Sequence, residues 1–261
     1  MEGPRVTRVI TFNANGIRSA SQKGFWEWLI QKDPDILCVQ ELKAQEKDLG
    51  ALPLCAPPFA AFACARKPGY SGVALYSKKK PDAIITSLDE GEFDAEGRYA
   101  EARFGNISVI SVYFPSGTSS EERQAAKYRF LKVFLERITA LKDAGREVLF
   151  CGDVNIAHQN RDVKNWKGNL KNSGFLPEER AWISERFAQG WVDVFRRLDD
   201  GDDRFTWWSH RGRAREKNVG WRIDYQIATP GIASLAQKAE IAYMPKFSDH
   251  APLTIDYGSF L

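Results

Sequence analysis

Carboxylates and amides close short apolar runs at five places along this chain. Asn13 follows Val-Ile-Thr-Phe, and Glu41 follows Ile-Leu-Cys-Val-Gln. Asp153 and Asn155 end Val-Leu-Phe-Cys-Gly-Asp-Val-Asn, Asp224 ends Trp-Arg-Ile-Asp, and Asp249-His250 follows Phe-Ser. Runs rich in Val, Ile, Phe and Cys that give way to turn or polar residues read as buried strands. A carboxylate inside such a strand would need a partner, whereas one where the strand leaves its sheet can reach an open site. Ends spread from residue 13 to residue 250 therefore point to one active site. The donors Asn13, Glu41, Asp153, Asn155 and Asp249 are oxygen-rich, with no thiolate cluster. They suit Mg²⁺, with Mn²⁺ as the alternative, and not structural zinc. Such an ion neutralises phosphate while a positioned base activates water, which indicates phosphoryl chemistry.

Asp153 and Asn155 face the same side if extended backbone persists beyond Gly152; an Asx turn is the alternative. Among three histidines, His250 stands out through its neighbour Asp249, while His158 and His210 read as surface or loop residues.

The elements that must position these groups follow a repeated rhythm. A strand at Arg8–Asn13 leads through Gly16 to a helix near Gly24–Lys32 and a strand at Ile36–Glu41. Strands follow at Gly72–Tyr76, Arg98–Phe104 and Ile107–Phe114. A long helix near Glu121–Leu141 carries Phe130, Val133, Phe134, Ile138 and Leu141 near helical spacing. A strand at Glu147–Cys151 comes next, and Pro177 starts a helix reaching Gln189. Strands at Ile223–Ala228 and Ala251–Asp256 close the series. The pattern predicts an α/β fold of two packed mixed sheets flanked by helices. A simple parallel sheet fits less well, because several connections are too short for a crossover helix.

With 261 residues and 43% hydrophobic content the chain can bury a sizeable core. No linker divides it, so one domain is expected. No apolar run approaches a membrane span, and Met-Glu-Gly-Pro-Arg lacks the apolar core of a signal peptide. A cytoplasmic monomer is the default expectation. Cys38, Cys55, Cys64 and Cys151 lack zinc spacing and read as small buried thiols. The net charge of +3 is uneven. Arg204, Arg211, Arg213, Arg215, Lys217 and Arg222 against Glu216 give residues 204–222 a net +5. Arg161, Lys164, Lys167 and Lys171 against Asp162 give residues 160–172 a net +3. Two basic segments on an acidic body suggest a directed polyanion contact, with solvated loops as the alternative.

At these positions the sequence resembles the exonuclease III family of DNA-repair nucleases, within the wider endonuclease/exonuclease/phosphatase group that includes DNase I. The matching segments are Phe12-Asn13-Ala14-Asn15-Gly16-Ile17-Arg18, Gln40-Glu41-Leu42-Lys43, Gly69-Tyr70-Ser71-Gly72, Tyr113-Phe114-Pro115, Gly152-Asp153-Val154-Asn155, Gly220-Trp221-Arg222-Ile223-Asp224 and Ser248-Asp249-His250-Ala251-Pro252. The resemblance implies a four-layer α/β sandwich with its site at one edge of the two sheets. It implies Mg²⁺-dependent cleavage 5′ to an abasic site in double-stranded DNA, leaving a 3′-hydroxyl, with action on blocked 3′ ends or from the 3′ end. By position, Glu41 becomes the main metal ligand, with Asn13, Asp249, Asp153, Asn155 and His250 around the ion. Asp153 aligns or deprotonates the attacking water, and Asn155 bonds that water or the phosphate. His250, oriented by Asp224, stabilises the phosphate, and Tyr113 donates to the phosphate or leaving oxygen. DNA contacts fall to Asn15, Arg18, Tyr70, Lys167, Asn169, Lys171, Arg211, Arg213, Arg215 and Lys217. Trp207 and Trp221 form the pocket for the abasic sugar. Trp207 stands where the family often has Phe, and Phe205 lies nearby, which leaves open a predominantly 3′-to-5′ exonuclease; a lipid or inositol phosphatase of the wider group, which shares the catalytic edge residues, is the further alternative.

Overall fold

The computed structural model describes residues 6–49 and 56–261; Met1–Arg5 and Cys55 lie outside them. The strands are β1 (Val6–Asn13), β2 (Ile36–Gln40), β3 (Phe59–Ala63), β4 (Val73–Ser77), β5 (Ala83–Ile85), β6 (Tyr99–Phe104), β7 (Ile107–Tyr113), β8 (Glu147–Asp153), β9 (Val192–Asp193), β10 (Asp224–Ala228), β11 (Ala236–Ile241) and β12 (Leu253–Gly258). The helices are α1 (Ile17–Gln22), α2 (Phe25–Lys32), α3 (Glu46–Leu49), α4 (Gly91–Glu96), α5 (Glu121–Asp143), α6 (Pro177–Ala188), α7 (Val194–Leu198) and α8 (Pro230–Ser234). Two six-stranded sheets result, ordered β11-β12-β1-β2-β4-β3 and β5-β6-β7-β8-β10-β9.

Both sheets share one wiring. In the first, β11 and β12 run antiparallel beside β1, the chain crosses over to the parallel β2, and β4 returns between β2 and β3. In the second, β5 and β6 lead to β7, a crossover through α5 reaches the parallel β8, and β10 returns between β8 and β9. A parallel neighbour demands a long crossover, and the two parallel pairings among the described strands, β1 with β2 and β7 with β8, each have one. The rest is antiparallel, which is why a simple parallel sheet fails.

Period-two alternation splits the core into layers. Val9, Cys38 and Leu75 face Ala102, Val109, Leu149 and Cys151 between the sheets. Ile10, Phe12, Leu37 and Val39 turn outward beneath Phe25, Trp26 and Leu29 of α2. Ile110, Val112 and Phe150 turn outward beneath Phe130, Phe134 and Ile138 of α5. The order helix, sheet, sheet, helix is the four-layer sandwich. Central strands buried on both faces read as continuous apolar runs, so the sequence locates them well. It misses β3, β5, β9 and β11. β5 and β9 are very short, β3 is largely alanine, and β11 carries Gln237, Lys238 and Glu240 on an exposed edge. Cys38 and Cys151 are buried thiols, but Cys64 is only half-buried. No helix among the described residues is long and apolar enough to cross a membrane.

Gly152 sits where β8 passes closest to β7. A Cβ there would lie 1.9 Å from the Val112 carbonyl oxygen. Gly152→Ala is expected to destabilise the fold by about 3 kcal/mol, at the upper end for overpacking. Urea unfolding measures it; a loss under about 1 kcal/mol would show that the ladder can shift freely.

Candidate active site

The polar strand ends meet at one edge of the sandwich, through two opposite chain directions. Asn13, Gln40, Tyr113 and Asp153 are the last residues of β1, β2, β7 and β8. Asp224 is instead the first residue of β10, and Asp249-His250 precede β12. β10 is antiparallel to β8 and β12 to β1, so their beginnings lie at the edge where the others end. Tyr113, Asp153 and Asp224 stand in one cross-strand row.

Left-handed turns aim the groups that follow. Asn15, Glu41, Lys43 and Asn155 all have positive φ, a strained choice for residues other than glycine. Of the two alternatives for Asp153 to Asn155, extended backbone or an Asx turn, the chain takes the turn. Asn155 N–H donates to Asp153 Oδ1 at 2.8 Å, an Asx turn, and Asn155 Nδ2 reaches Phe114 O at 2.9 Å and Asp153 Oδ2 at 3.3 Å. A matching turn joins Asn15 N–H to Asn13 Oδ1 at 2.9 Å. Asn13 Oδ1 is thereby occupied. The Asn13 amide presents its nitrogen to the carboxylates, donating to Glu41 Oε1 at 3.0 Å and Asp153 Oδ2 at 2.8 Å. It bridges the acids here through that nitrogen. Asp249 accepts from Asn15 Nδ2 at 2.9 Å, Trp207 Nε1 at 3.0 Å and Ser248 Oγ at 3.0 Å. Lys43 Nζ pairs with Glu41 Oε2 at 2.9 Å and also donates to Asn15 Oδ1.

His250 Nδ1 lies 2.9 Å from Asp224 Oδ2, and Nε2 points toward Asp153 Oδ2 at 3.9 Å. Thr206 Oγ1 accepts the Asp224 N–H at 3.1 Å and fixes the start of β10. Burial alone would lower the His250 pKa, but Asp224, with Asp153 and Asp249 adding to it, outweighs burial and raises the ring to about 10. Burial and the nearby Asp224 charge push the Asp153 carboxyl upward. Burial raises Glu41 too, yet Lys43 and the Asn13 amide hold it below its usual range. Burial and the Glu41 charge keep the Tyr113 phenol protonated far above its normal range. The edge thus holds an ionised acid, an acid that gains a proton readily, a cationic imidazole and a neutral phenol. Glu41, Asp153 and His250 offer ligand atoms all within 4.8 Å of one another, so carboxylate oxygens are placed to hold a cation. The cationic His250 ring fits an anion better than a metal.

These groups floor a cleft of about 610 Å³. Trp207 and Trp221 form one wall, edge to face with centroids 6.4 Å apart. Lys171 and Asn172 reach the cleft from the 166–172 segment. Phe205 is core rather than pocket. Sequence reasoning missed two further linings: the Ser116–Ser120 loop before α5, and Ser173, Gly174 and Leu176 before α6. Small hydroxyls and glycines between elements carry no periodic signal, so neither stretch stood out.

The basic segments need correction. Arg222 is buried against Asp162 and Asp193 and adds nothing to surface charge. Arg204, Arg161 and Lys164 pair with Asp199, Asp200 and Asp203. Arg215 stacks on Trp208 at 4.7 Å and donates to Ser248 O at 2.7 Å and Tyr243 O at 2.9 Å, which makes it a brace of its loop. Arg213 stands 3.7 Å from Glu216. Arg211, Lys217, Lys167 and Lys171 remain exposed. Asn169 is engaged within its own turn with Asn165 and Asn172. Arg18 lies on the surface beside Lys43. Tyr70 occupies an adjoining recess, its hydroxyl accepting from Arg98 at 3.2 Å and Arg123 at 3.0 Å.

Residues 10–250 match the model of the Endonuclease/Exonuclease/phosphatase family. The chain is 35% identical to an exodeoxyribonuclease of Bacillus subtilis, over 95% of this chain and 98% of that protein. It is also 35% identical to the DNA repair nuclease APEX1 of Danio rerio, over 95% of this chain and 81% of that one. Among solved structures, an AP endonuclease from Archaeoglobus fulgidus superposes with a TM-score of 0.85 at 27% identity, covering 97% of this chain and all (100%) of the other.

The imidazole charge can be read directly, since the sequence holds only three histidines. Nitrogen-detected NMR should show His250 protonated through neutral pH and losing its proton near pH 10. A raised folded pKa stabilises the fold fully below the ordinary 6.5 or so and progressively less as pH climbs toward the folded value. Asp224→Asn should lower the titration toward the ordinary range. An unchanged titration would remove Asp224 as the source of the charge.

Proposed function

The chain belongs to the endonuclease/exonuclease/phosphatase family and, within it, to the exonuclease III nucleases, and from that premise we propose that it is a DNA-repair hydrolase cutting the phosphodiester 5′ to an abasic site. The observation that carries this reading is the joining of the carboxylate–imidazole floor to the Trp207–Trp221 wall in one cleft. An apolar wall of that size suits a sugar that has lost its base and been turned out of the helix. Exposed Lys171 in the cleft lining, with exposed Lys167 of the same segment and Arg211 and Lys217 of the segment after Trp207, would supply backbone contacts.

Glu41, with Asp153 beside it, would hold Mg²⁺, whose charge offsets that of the scissile phosphate. Asp153 is the group we assign to take the proton of the attacking water. Its raised affinity for a proton suits a base working near neutral pH. Water oxygen bonds to phosphorus, the bond to the 3′ oxygen breaks, and the upstream strand keeps a 3′-hydroxyl. Protonated His250 donates from Nε2 to a phosphate oxygen as charge builds there. Tyr113 retains its proton for the leaving oxygen. Asn155, with its amide hydrogens directed to Phe114 O and Asp153, orients the base rather than the phosphate. A second reading, 3′-to-5′ exonuclease action, draws on Trp207, which lines the pocket with its indole bonded to Asp249.

Two end-labelled duplexes separate these readings, one with an abasic analogue and one intact with a recessed 3′ end. A single Mg²⁺-dependent nick 5′ to the lesion is expected. A ladder from the intact 3′ end with little nicking would favour the exonuclease, and activity on neither would overturn both. Asp153→Asn should lower turnover at least ~10². Replacing Arg211, Lys217, Lys167 and Lys171 with Ala should flatten the salt dependence of DNA binding by roughly one unit of log–log slope for each phosphate no longer neutralised. An unchanged slope would make these residues plain solvated surface.

A further inference from the structure

Behind the cleft, Lys127 of α5 and Glu179 in the first turn of α6 form an ion pair that solvent does not reach. Both side chains are 0% exposed, and Nζ lies 2.7 Å from Oε1. A buried pair is unfavourable unless its remaining hydrogen-bonding capacity is used. Here the cleft backbone uses it. Lys127 Nζ donates to Asn155 O at 2.8 Å, the carbonyl of the left-handed residue that closes the Asp153 turn. Glu179 Oε2 accepts the N–H groups of Gly174 at 2.6 Å and Leu176 at 3.1 Å, both in the cleft wall. Glu179 Oε1 also accepts from Gln124 Nε2 at 2.9 Å.

We infer that Lys127 and Glu179 are positioning residues that lock the Asp153–Asn155 turn to the 173–176 wall. The inference rests on the hydrolase reading above. Neither side chain lines the cleft, so each acts through the backbone it holds. Both helices are anchored in the core, α5 by Phe130, Phe134 and Ile138 and α6 by Ile183. Two loops thereby take on the rigidity of two helices, as a precise site requires. Misplacing a reacting group by about 1 Å can cost ~10² in rate, so a loosened clamp registers in turnover before it registers in binding. A pair serving stability alone would tolerate well-packed apolar replacement.

The test compares Lys127→Met, Lys127→Arg and the swap Lys127→Glu/Glu179→Lys, reading kcat, KM for duplex DNA and amide hydrogen exchange at Gly174 and Leu176. Lys127→Met should lower kcat by roughly 10- to 100-fold with KM within about threefold, and the wall amides should exchange faster. Lys127→Arg keeps a donor for Asn155 O and should recover most of kcat. The swap restores opposite charges but leaves Asn155 O without a donor and the Gly174 N–H without an acceptor, so it should not recover kcat. Unchanged kcat in folded Lys127→Met, or full recovery in the swap, would overturn the inference. If Lys127→Met does not fold, Glu179→Gln takes its place; slower turnover with faster wall exchange supports the clamp, and no change in either refutes it. Exchange needs no substrate, so it decides the matter even if the chain cleaves neither duplex.

Discussion

One buried amide joins the two halves of the site. Asn13 leaves the first sheet and donates from a single nitrogen to Glu41 of that sheet and Asp153 of the other. Two acids brought this close repel, and one tends to take up a proton. The shared donor permits the approach, Lys43 keeps Glu41 ionised, and the conflict is left on Asp153, buried beside Asp224. The Asn13 oxygen meanwhile accepts the Asn15 N–H, which fixes which end of the amide faces the acids. The same turn carries the Asn15 amide to Asp249.

Polar contacts elsewhere between the sheets set the register that this bridge needs. Gln40 donates to Ser111 Oγ at 3.1 Å, and Gln226 to Val9 O at 3.0 Å while accepting from the Tyr257 hydroxyl at 2.8 Å. Apolar interfaces can slide with little change in energy; directional bonds cannot. An interface otherwise made of Val, Ala, Leu and Cys thus gains one preferred alignment, the one in which Asn13 meets Asp153.

Burial on both faces writes a continuous hydrophobic signal, so strands such as β2, β4 and β8 were legible as apolar runs, and with them the polar groups at their ends. Strand direction was not legible. Asp224 and Asp249 follow short runs in sequence like the other site groups, yet the strands read there begin at or after them, and only antiparallel pairing returns them to the common edge. Charge was legible in amount but not in placement. Arg222 and Arg215 count toward a basic segment, yet one is buried against two aspartates and the other braces a loop. Lys127 was hidden for a related reason: in an amphipathic helix a lysine reads as solvent-facing, and nothing local announces a glutamate on a later helix.

The shared wiring of the sheets has a consequence for biosynthesis. In the second sheet the lead-in strands β5 and β6 are made before β7, so that unit can assemble in order of synthesis. In the first, β1 is made before β2 to β10, but its antiparallel neighbour β12 and the adjoining β11 come after all of them. One flank of β1 stays unpaired while nearly all the intervening chain emerges from the ribosome. Non-local pairing of this kind is slow and exposes a sticky edge. Asp249 and His250 arrive with the same late segment. A nascent chain therefore holds no complete catalytic edge, and the last piece to close the sheet is also the piece that arms it.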